Sequence, residues 1–140
     1  MNGPSIAGHA TQVAVAWFTR PESRDPQVRL ARSQDAGEHF GQVVTIDQKR
    51  PLGRPAVAVL SDGSAFVCWL RRAAGHSELC AARVVEDGRI ATQWTLATVS
   101  AGRASGFPRV TADGLAAIVC WTNGNAPDST VRAVRVSFAR

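Results

Sequence analysis

Histidine, cysteine and arginine are the side chains in this sequence whose spacing can be tested for metal binding, nucleophilic catalysis or anion binding. The three histidines are scattered, and none has a partner at the spacing of a metal site or a catalytic triad. The cysteines are Cys68, Cys80 and Cys120, an odd count without a Cys-x-x-Cys pair. The sequence therefore predicts no metal, no cofactor and no catalytic residue of these types.

Arginine supplies nearly all of the positive charge. The chain has 16 Lys and Arg against 11 Asp and Glu, a formal net charge of +5, and Lys49 is its single lysine. Arginine binds carboxylate and phosphate through a planar fork, so an anionic ligand fits this composition. Among the arginines, however, only Arg71 and Arg72 are adjacent, and this dispersed pattern lacks the clustered basic residues of a nucleic-acid groove. We expect no nucleic-acid partner.

The hydropathy pattern predicts no membrane span. No apolar run approaches the roughly 20 residues that a spanning helix needs. The first residues, "MNGPSIAGHATQV", also lack the basic and apolar regions of a secretory signal. The native compartment therefore stays open.

An internal repeat organises the chain. Trp17, Trp69 and Trp121 are each 52 residues apart, and each closes a similar apolar run: "VAVAW", "AFVCW" and "AIVCW". Asp35 recurs as Asp87 at the same spacing. We infer nearly three copies of one unit, with approximate boundaries at 1–50, 51–103 and 104–140.

Each unit consists of short apolar runs separated by turn residues, which predicts β-strands and no helix. In the middle unit we predict strands over about 54–60, 64–71, 78–85 and 92–99. Four antiparallel strands with a period near 50 residues are typical of a β-propeller blade. A β-sandwich is the alternative, but it would leave the three tryptophans in register by chance. The fold prediction is all-β, with about three antiparallel blades and the last one incomplete.

The segment "SQDAGEHF", residues 33 to 40, resembles the Asp box of sialidases and related BNR-repeat propellers, Ser/Thr-x-Asp-x-Gly-x-x-Trp/Phe. The matching residues are Ser33, Asp35, Gly37 and Phe40. The resemblance implies a structural turn between the third and fourth strands of a blade. In that turn the Ser33 and Asp35 side chains bond to the backbone, Gly37 takes a positive φ and Phe40 folds back into the core.

The resemblance also implies a sialidase-type site that uses three arginines for the substrate carboxylate, a tyrosine–glutamate nucleophile pair and an aspartate. The chain contains no tyrosine, so it cannot supply that nucleophile. Arg54 in "GRP" and Arg109 in "FPRV" lie at first strands, which line the channel of a propeller. We predict them as candidate ligands for an anionic glycan. The alternative is that both arginines are solvated or paired at the blade ends.

The resemblance covers essentially the whole chain and suggests the C-terminal half of a six-bladed, sialidase-like propeller from an exported bacterial protein. Propellers close with about 4–8 blades, so three blades need a partner. That partner is either a second copy of the chain or a missing part of the native protein.

Two functions remain open from the sequence. The first is a non-catalytic binding or assembly module for a glycan or a protein. The second is one part of an exo-sialidase-type glycoside hydrolase whose nucleophile lies outside this chain. A Cys68–Cys80 disulfide is a further alternative if the protein is exported, although the expected register places Cys80 nearer to Trp69.

Overall fold

A computed structural model describes residues 3–22, 24–100, 107–124 and 127–139. Within these ranges the chain forms eleven strands and no helix, so it has no helix that could cross a membrane. The strands are β1 (Ser5–His9), β2 (Gln12–Thr19), β3 (Gln27–Ser33), β4 (Val44–Asp47), β5 (Pro51–Val59), β6 (Ala65–Ala73), β7 (His76–Val84), β8 (Ile90–Val99), β9 (Arg109–Asp113), β10 (Ala116–Asn123) and β11 (Thr130–Ser137).

The strands form three antiparallel sheets in simple up-and-down order. Blade 1 contains β1 to β4, blade 2 contains β5 to β8, and blade 3 contains β9 to β11. In blade 2 the observed strands begin and end within three residues of the predicted ranges. The prediction of an all-β fold with three blades and an incomplete last blade is therefore confirmed. The proposed boundary at 103/104 lies outside the described residues.

Blade 2 lies between the other two blades, and each of its faces closes one hydrophobic core. Because side chains alternate along a strand, successive residues of β6 point to opposite faces. Val67 and Trp69 pack with Ala14 and Leu30 of blade 1. The other face of blade 2 packs against blade 3 in a second core that includes Phe66, Cys68, Leu79, Val119 and Trp121.

The three repeat tryptophans occupy the same position on the second strand of each blade. Trp69 faces blade 1, where it is 0% exposed, and Trp121 faces blade 2, where it is 7% exposed. Trp17 points away from blade 2, since its neighbours Ala14 and Ala16 face that blade, and it is half-buried. Trp17 is therefore the one repeat tryptophan that is not fully buried, because no blade covers that side of blade 1 in the described residues.

The link between blades 1 and 2 is polar as well as apolar. The Trp69 indole Nε1 donates a hydrogen bond to Asp47 Oδ2 at 2.7 Å, and Arg71 Nε donates to the same oxygen at 3.0 Å. The other oxygen, Oδ1, accepts from the backbone N–H of Lys49 at 2.8 Å. Asp47 is buried, so these three donors replace the water that its charge would otherwise need.

Candidate functional site

The strand directions divide the charged residues between two ends of the molecule. β1, β5 and β9 run in the same sense, and Val57 N–H donates to Ser5 Oγ at 3.2 Å, so equivalent positions of neighbouring blades lie side by side. We call the end where these three strands begin the basic end. The opposite end has the turns that follow β1, β3, β5, β7 and β9, and we call it the acidic end.

Charge is strongly unequal between these ends. In the described residues the half toward the basic end holds ten Arg and Lys against five Asp and Glu, and the other half holds four Arg against six. Besides Arg54 and Arg109, the cations of the basic end include Arg20, Arg24, Lys49, Arg50, Arg71 and Arg72. A basic surface of this kind raises the local concentration of anions.

Arg54 lies in β5 at an irregular point of the strand. The register with β6 shifts between Gly53 and Ala56, and Arg54 itself has a φ of 52°. A left-handed conformation is costly for a residue with a Cβ, and such strain is concentrated at functional sites. The Arg54 guanidinium lies 4.1 Å from the centre of the Phe107 ring, which is 46% exposed.

Arg109 is the first residue of β9 and is exposed at the same end. Because β5 lies next to β9 in the fold, the structure brings Arg54, Phe107 and Arg109 to one end of adjacent first strands. Phe107 was not singled out from the sequence. Its place directly before Pro108 and the first strand of blade 3 is a signal that could have identified it.

The predicted turn at residues 33 to 40 lies between β3 and β4. Ser33 Oγ accepts from Gly37 N–H at 2.9 Å and donates to Asp35 Oδ1 at 2.7 Å. Asp35 Oδ1 also accepts from His39 N–H at 2.8 Å, and Gly37 has a φ of 92°. The turn therefore has the local geometry that its residue types predict, while membership of the Asp-box family stays a proposal.

The expectation that Phe40 folds back into the core is wrong. The ring is 45% exposed instead of folding back into the core. Pairing between β3 and β4 ends at Leu30 and Val44, so Phe40 lies past the last strand pair. The backbone N–H of Gly41 bonds to the Arg32 carbonyl at 2.9 Å, which holds this part of the loop beyond the apolar core.

Hydrogen bonds to Asp35 lower the pKa of its carboxyl to about 2, first the backbone N–H of His39 and then the Ser33 hydroxyl. His39 Nδ1 lies 2.8 Å from Asp35 Oδ2. One ligand atom each from Asp35, Glu38 and His39 lies within 4.8 Å of the others, a grouping that the sequence did not predict. All three residues are exposed, and both Asp35 oxygens already have partners in the turn, so we assign this group to the turn.

The cysteines are free thiols. Burial raises the pKa of Cys68 to about 12 and that of Cys80 to about 11. Cys80 pairs with Trp69 across the β6–β7 ladder, as the sequence register predicts, and Cys68 pairs with Ala81. The two thiols face different cores, so they cannot form the disulfide that the sequence left open.

No protein-family model matches the chain, and no curated protein matches it in sequence. Solved structures do resemble it. Xylan β-1,4-xylosidase from Bacillus halodurans C-125 superposes with a TM-score of 0.63 at 10% identity, over 95% of this chain and 27% of that enzyme. For endo-arabinase from Bacteroides thetaiotaomicron VPI-5482 the TM-score is 0.59 at 11% identity, over 96% and 55% of the two chains.

The Hadza microbial sialidase Hz136 is also similar, with a TM-score of 0.52 at 16% identity over 95% of this chain and 31% of the sialidase. These neighbours are β-propeller glycoside hydrolases. The chain spans between about a quarter and about half of their lengths. At this level of identity the likeness shows the fold alone: the chain is a three-bladed segment of β-propeller type.

Proposed function

We propose that this chain is the non-catalytic part of a sialidase-like β-propeller and that it binds an anionic glycan at its basic end. The excess of Arg and Lys at that end is the observation that carries the proposal. Arg54 and Arg109 are the ligand-binding residues. A guanidinium fork matches a sugar carboxylate, and the exposed Phe107 ring offers an apolar face beside it for the sugar ring.

The proposal assigns no catalytic role to this chain because of the residue types that it contains. The chain has no tyrosine, so a sialidase nucleophile must come from elsewhere. The resemblance of the turn at Ser33, Asp35, Gly37 and Phe40 to the Asp box supports the family assignment, and so does the presence of a sialidase among the structural neighbours.

The binding test uses titration calorimetry with N-acetylneuraminic acid, galacturonic acid and neutral galactose. We expect the two acids to bind and galactose not to bind. Arg54→Gln and Arg109→Gln should each weaken acid binding about tenfold, since each removes one charge-assisted hydrogen bond. Arg89→Gln, at the exposed acidic end, is the matched control. Equal binding of acid and galactose would contradict the proposal.

The second part of the proposal is assembly with another propeller half. In the described residues β11 pairs only with β10, and Val131 on this edge strand is 75% exposed. The half-buried Trp17 lies on the opposite flank, in the position where Trp69 contacts its neighbouring blade. Unpaired strand edges and uncapped repeats favour pairing with a further blade.

The alternative function is a part of a glycoside hydrolase, which the structural neighbours favour. In that case Arg54 would orient a substrate whose nucleophile belongs to another segment. Turnover of a fluorogenic sialoside by this chain together with the segment that supplies the nucleophile, lost in Arg54→Ala, would support the catalytic alternative over the binding module.

A further inference from the structure

A groove at the acidic end is separate from the glycan site and has a different chemistry. It lies between the β3–β4 loop of blade 1 and the β7–β8 turn of blade 2 and has a volume of about 640 Å³. Its lining includes Asp35, His39, Phe40, Val43, Glu86 and Asp87.

The groove combines exposed apolar side chains with negative charge. Phe40 is 45% exposed and Val43 is 48% exposed, and both belong to its lining. Asp35, Glu86 and Asp87 add three exposed carboxylates. An exposed aromatic ring beside several carboxylates is an environment that a cation with an apolar stem fits well.

Arg32 also lines this groove, and its guanidinium is already hydrogen-bonded to the backbone of blade 2. Its Nη1 donates to the Val85 carbonyl at 2.6 Å, and its Nη2 donates to the Gly63 carbonyl. Burial lowers the pKa of Arg32, against the opposing influence of nearby carboxylates that include Glu86. Since these bonds hold Arg32 to blade 2, the residue ties the two blades together at the groove. Of the carboxylates that line the groove, Asp35 is bonded within its own turn, and Asp87 accepts from the Arg89 N–H at 2.9 Å and lies 3.9 Å from Arg89 Nε.

Two phenylalanine rings of this chain each have an arginine guanidinium stacked on them. The Arg54 guanidinium lies 4.1 Å from the Phe107 ring centre, and that of Arg83 lies 4.6 Å from the Phe138 ring centre. No guanidinium of the described residues lies over the ring of Phe40 in this way. The Phe40 ring therefore has room for a cation that comes from outside the chain.

The loop that presents Phe40 is already ordered. Side-chain bonds from Ser33 and Asp35 fix its first half, and the Ala36 N–H bonds to the Thr11 carbonyl at 2.8 Å. The bond from Gly41 to the Arg32 carbonyl fixes the second half. A loop fixed in advance loses little conformational entropy when a ligand binds.

We propose that this groove is a docking site for an extended, arginine-containing peptide segment of another protein. One guanidinium stacks on Phe40 and pairs with Glu86 or Asp87, while an apolar neighbour packs on Val43. The complementary charges favour this occupant, since the groove is acidic. A second copy of the chain would have to place its basic end on this acidic end, a head-to-tail contact that forms a closed assembly only if its rotation closes a ring.

The test is fluorescence anisotropy with a labelled, end-blocked peptide of sequence Ser-Arg-Val-Arg-Val-Arg-Ser. The same peptide with glutamate in place of arginine, and one with lysine, are the comparisons. We expect the arginine peptide to bind best, the lysine peptide to bind more weakly, and the glutamate peptide not to bind. Binding should weaken as the salt concentration is raised from about 50 to about 500 mM, because salt screens the attraction between exposed charges. The Debye length falls from about 10 Å at 0.1 M to about 3 Å at 1 M.

Phe40→Ala and the double variant Glu86→Gln/Asp87→Asn should each raise the dissociation constant about tenfold. Phe40→Leu keeps apolar area without the aromatic face and should give an intermediate loss. Asp113→Asn, also exposed at the acidic end but outside the groove, is the matched control and should stay within about twofold. These side chains are exposed, and circular dichroism checks that each variant is folded.

Several outcomes would overturn the proposal. Equal binding of the arginine and glutamate peptides, or equal loss in Asp113→Asn, would show general adhesion to the surface. Binding of a neutral oligosaccharide that is lost in Phe40→Ala, without peptide binding, would identify a sugar site instead. Concentration-dependent association of the chain that is lost in Phe40→Ala would identify a second copy as the occupant. None of these results depends on whether N-acetylneuraminic acid binds at Arg54.

Discussion

Asp47 has a structural role that its place at a strand end does not reveal. Its carboxylate accepts hydrogen bonds from Trp69 and Arg71 of the next blade. The side chain of Asp47 is 2% exposed and that of Arg71 is 21% exposed, so the pair is only weakly screened by water. Removing one partner would leave buried polar groups without hydrogen bonds.

Asp47→Ala is therefore expected to lower the free energy of unfolding by about 2–4 kcal/mol. Denaturation in urea, followed by tryptophan fluorescence, measures the change. Asp113→Ala is the control: its ion pair with Arg135 is 2.9 Å long but exposed, so the loss should be below about 1 kcal/mol. Similar losses for the two variants would show that Asp47 does not hold the blades together.

Trp69 and Trp121 allow a matched comparison. They occupy equivalent strand positions. Trp121 Nε1 is buried and has no hydrogen-bond partner in the described part of the chain, whereas Trp69 Nε1 donates to Asp47. The fourth strand of blade 2, β8, carries no carboxylate that could take the role of Asp47. A buried donor without a partner costs free energy that its removal recovers.

We expect Trp69→Phe to be more destabilising than Trp121→Phe by about 1–3 kcal/mol, because the loss of ring area is the same and only Trp69 loses a hydrogen bond. Thermal unfolding of the two variants measures the difference. Equal melting temperatures would mean that the bond to Asp47 contributes nothing net.

At the scale of elements, the loop between β3 and β4 is held by an ionised Asp35. The pKa of this carboxyl is depressed to about 2, mainly by the His39 N–H. Because the pKa is lower in the folded loop than in the unfolded chain, the ionised carboxyl stabilises the folded loop at pH values above the unfolded-state pKa, near 3.8. That contribution is lost as pH falls from about 4 to about 2, where the carboxylate becomes protonated.

NMR titration of the loop should show this directly. The Asp35 carboxyl carbon is expected to titrate with a midpoint near 2. The His39 amide should shift together with it, since that N–H donates to Asp35 Oδ1. In Asp35→Asn the amide shift below pH 4 should disappear. A midpoint near 3.8 in the wild-type chain would show that the loop is not closed by these bonds.

At the scale of the whole molecule, we expect the two outer flanks to decide the state of association. Blade 1 presents the half-buried Trp17, and blade 3 ends at β11, which is paired on one side in the described residues. Cys120 also lies on the outer face of blade 3, since its neighbours Val119 and Trp121 face blade 2.

When this chain is alone in solution, the further propeller half can only be a second copy. We therefore expect it to associate with itself at micromolar concentration, and sedimentation velocity measures this association. Trp17→Asp should shift the chain toward monomer. Of the three thiols, Cys120 should react first with a thiol reagent, because Cys68 and Cys80 are buried with raised pKa values. Association should slow this reaction in the wild-type chain and not in Trp17→Asp.

A stable monomer whose amides at residues 130–137 are protected from hydrogen exchange would contradict this expectation. It would mean that the chain caps its own edge, and the half-propeller interpretation would then be wrong. A control at Val43→Asp, in the groove between blades 1 and 2, should leave association unchanged.

The sequence alone determined the features that depend on local pattern. The 52-residue spacing of the tryptophans fixed three blades and their second strands, because a repeated unit repeats its packing. Alternation and turn residues fixed the strands of blade 2 to within three residues. Ser33, Asp35 and Gly37 predicted their own turn, because the side-chain bonds of Ser33 and Asp35 join residues at most four apart.

Only the tertiary structure decided which distant residues meet. The bond from Trp69 to Asp47 depends on the register of two sheets and on a bulge in blade 1 at Val28 and Arg29, and neither leaves a local signal. The exposure of Phe40 and the groove beside it depend on where strand pairing stops and on a turn 46 residues later. Arginines that look dispersed in sequence collect at one end because alternate strands reverse direction and return their ends to the same side.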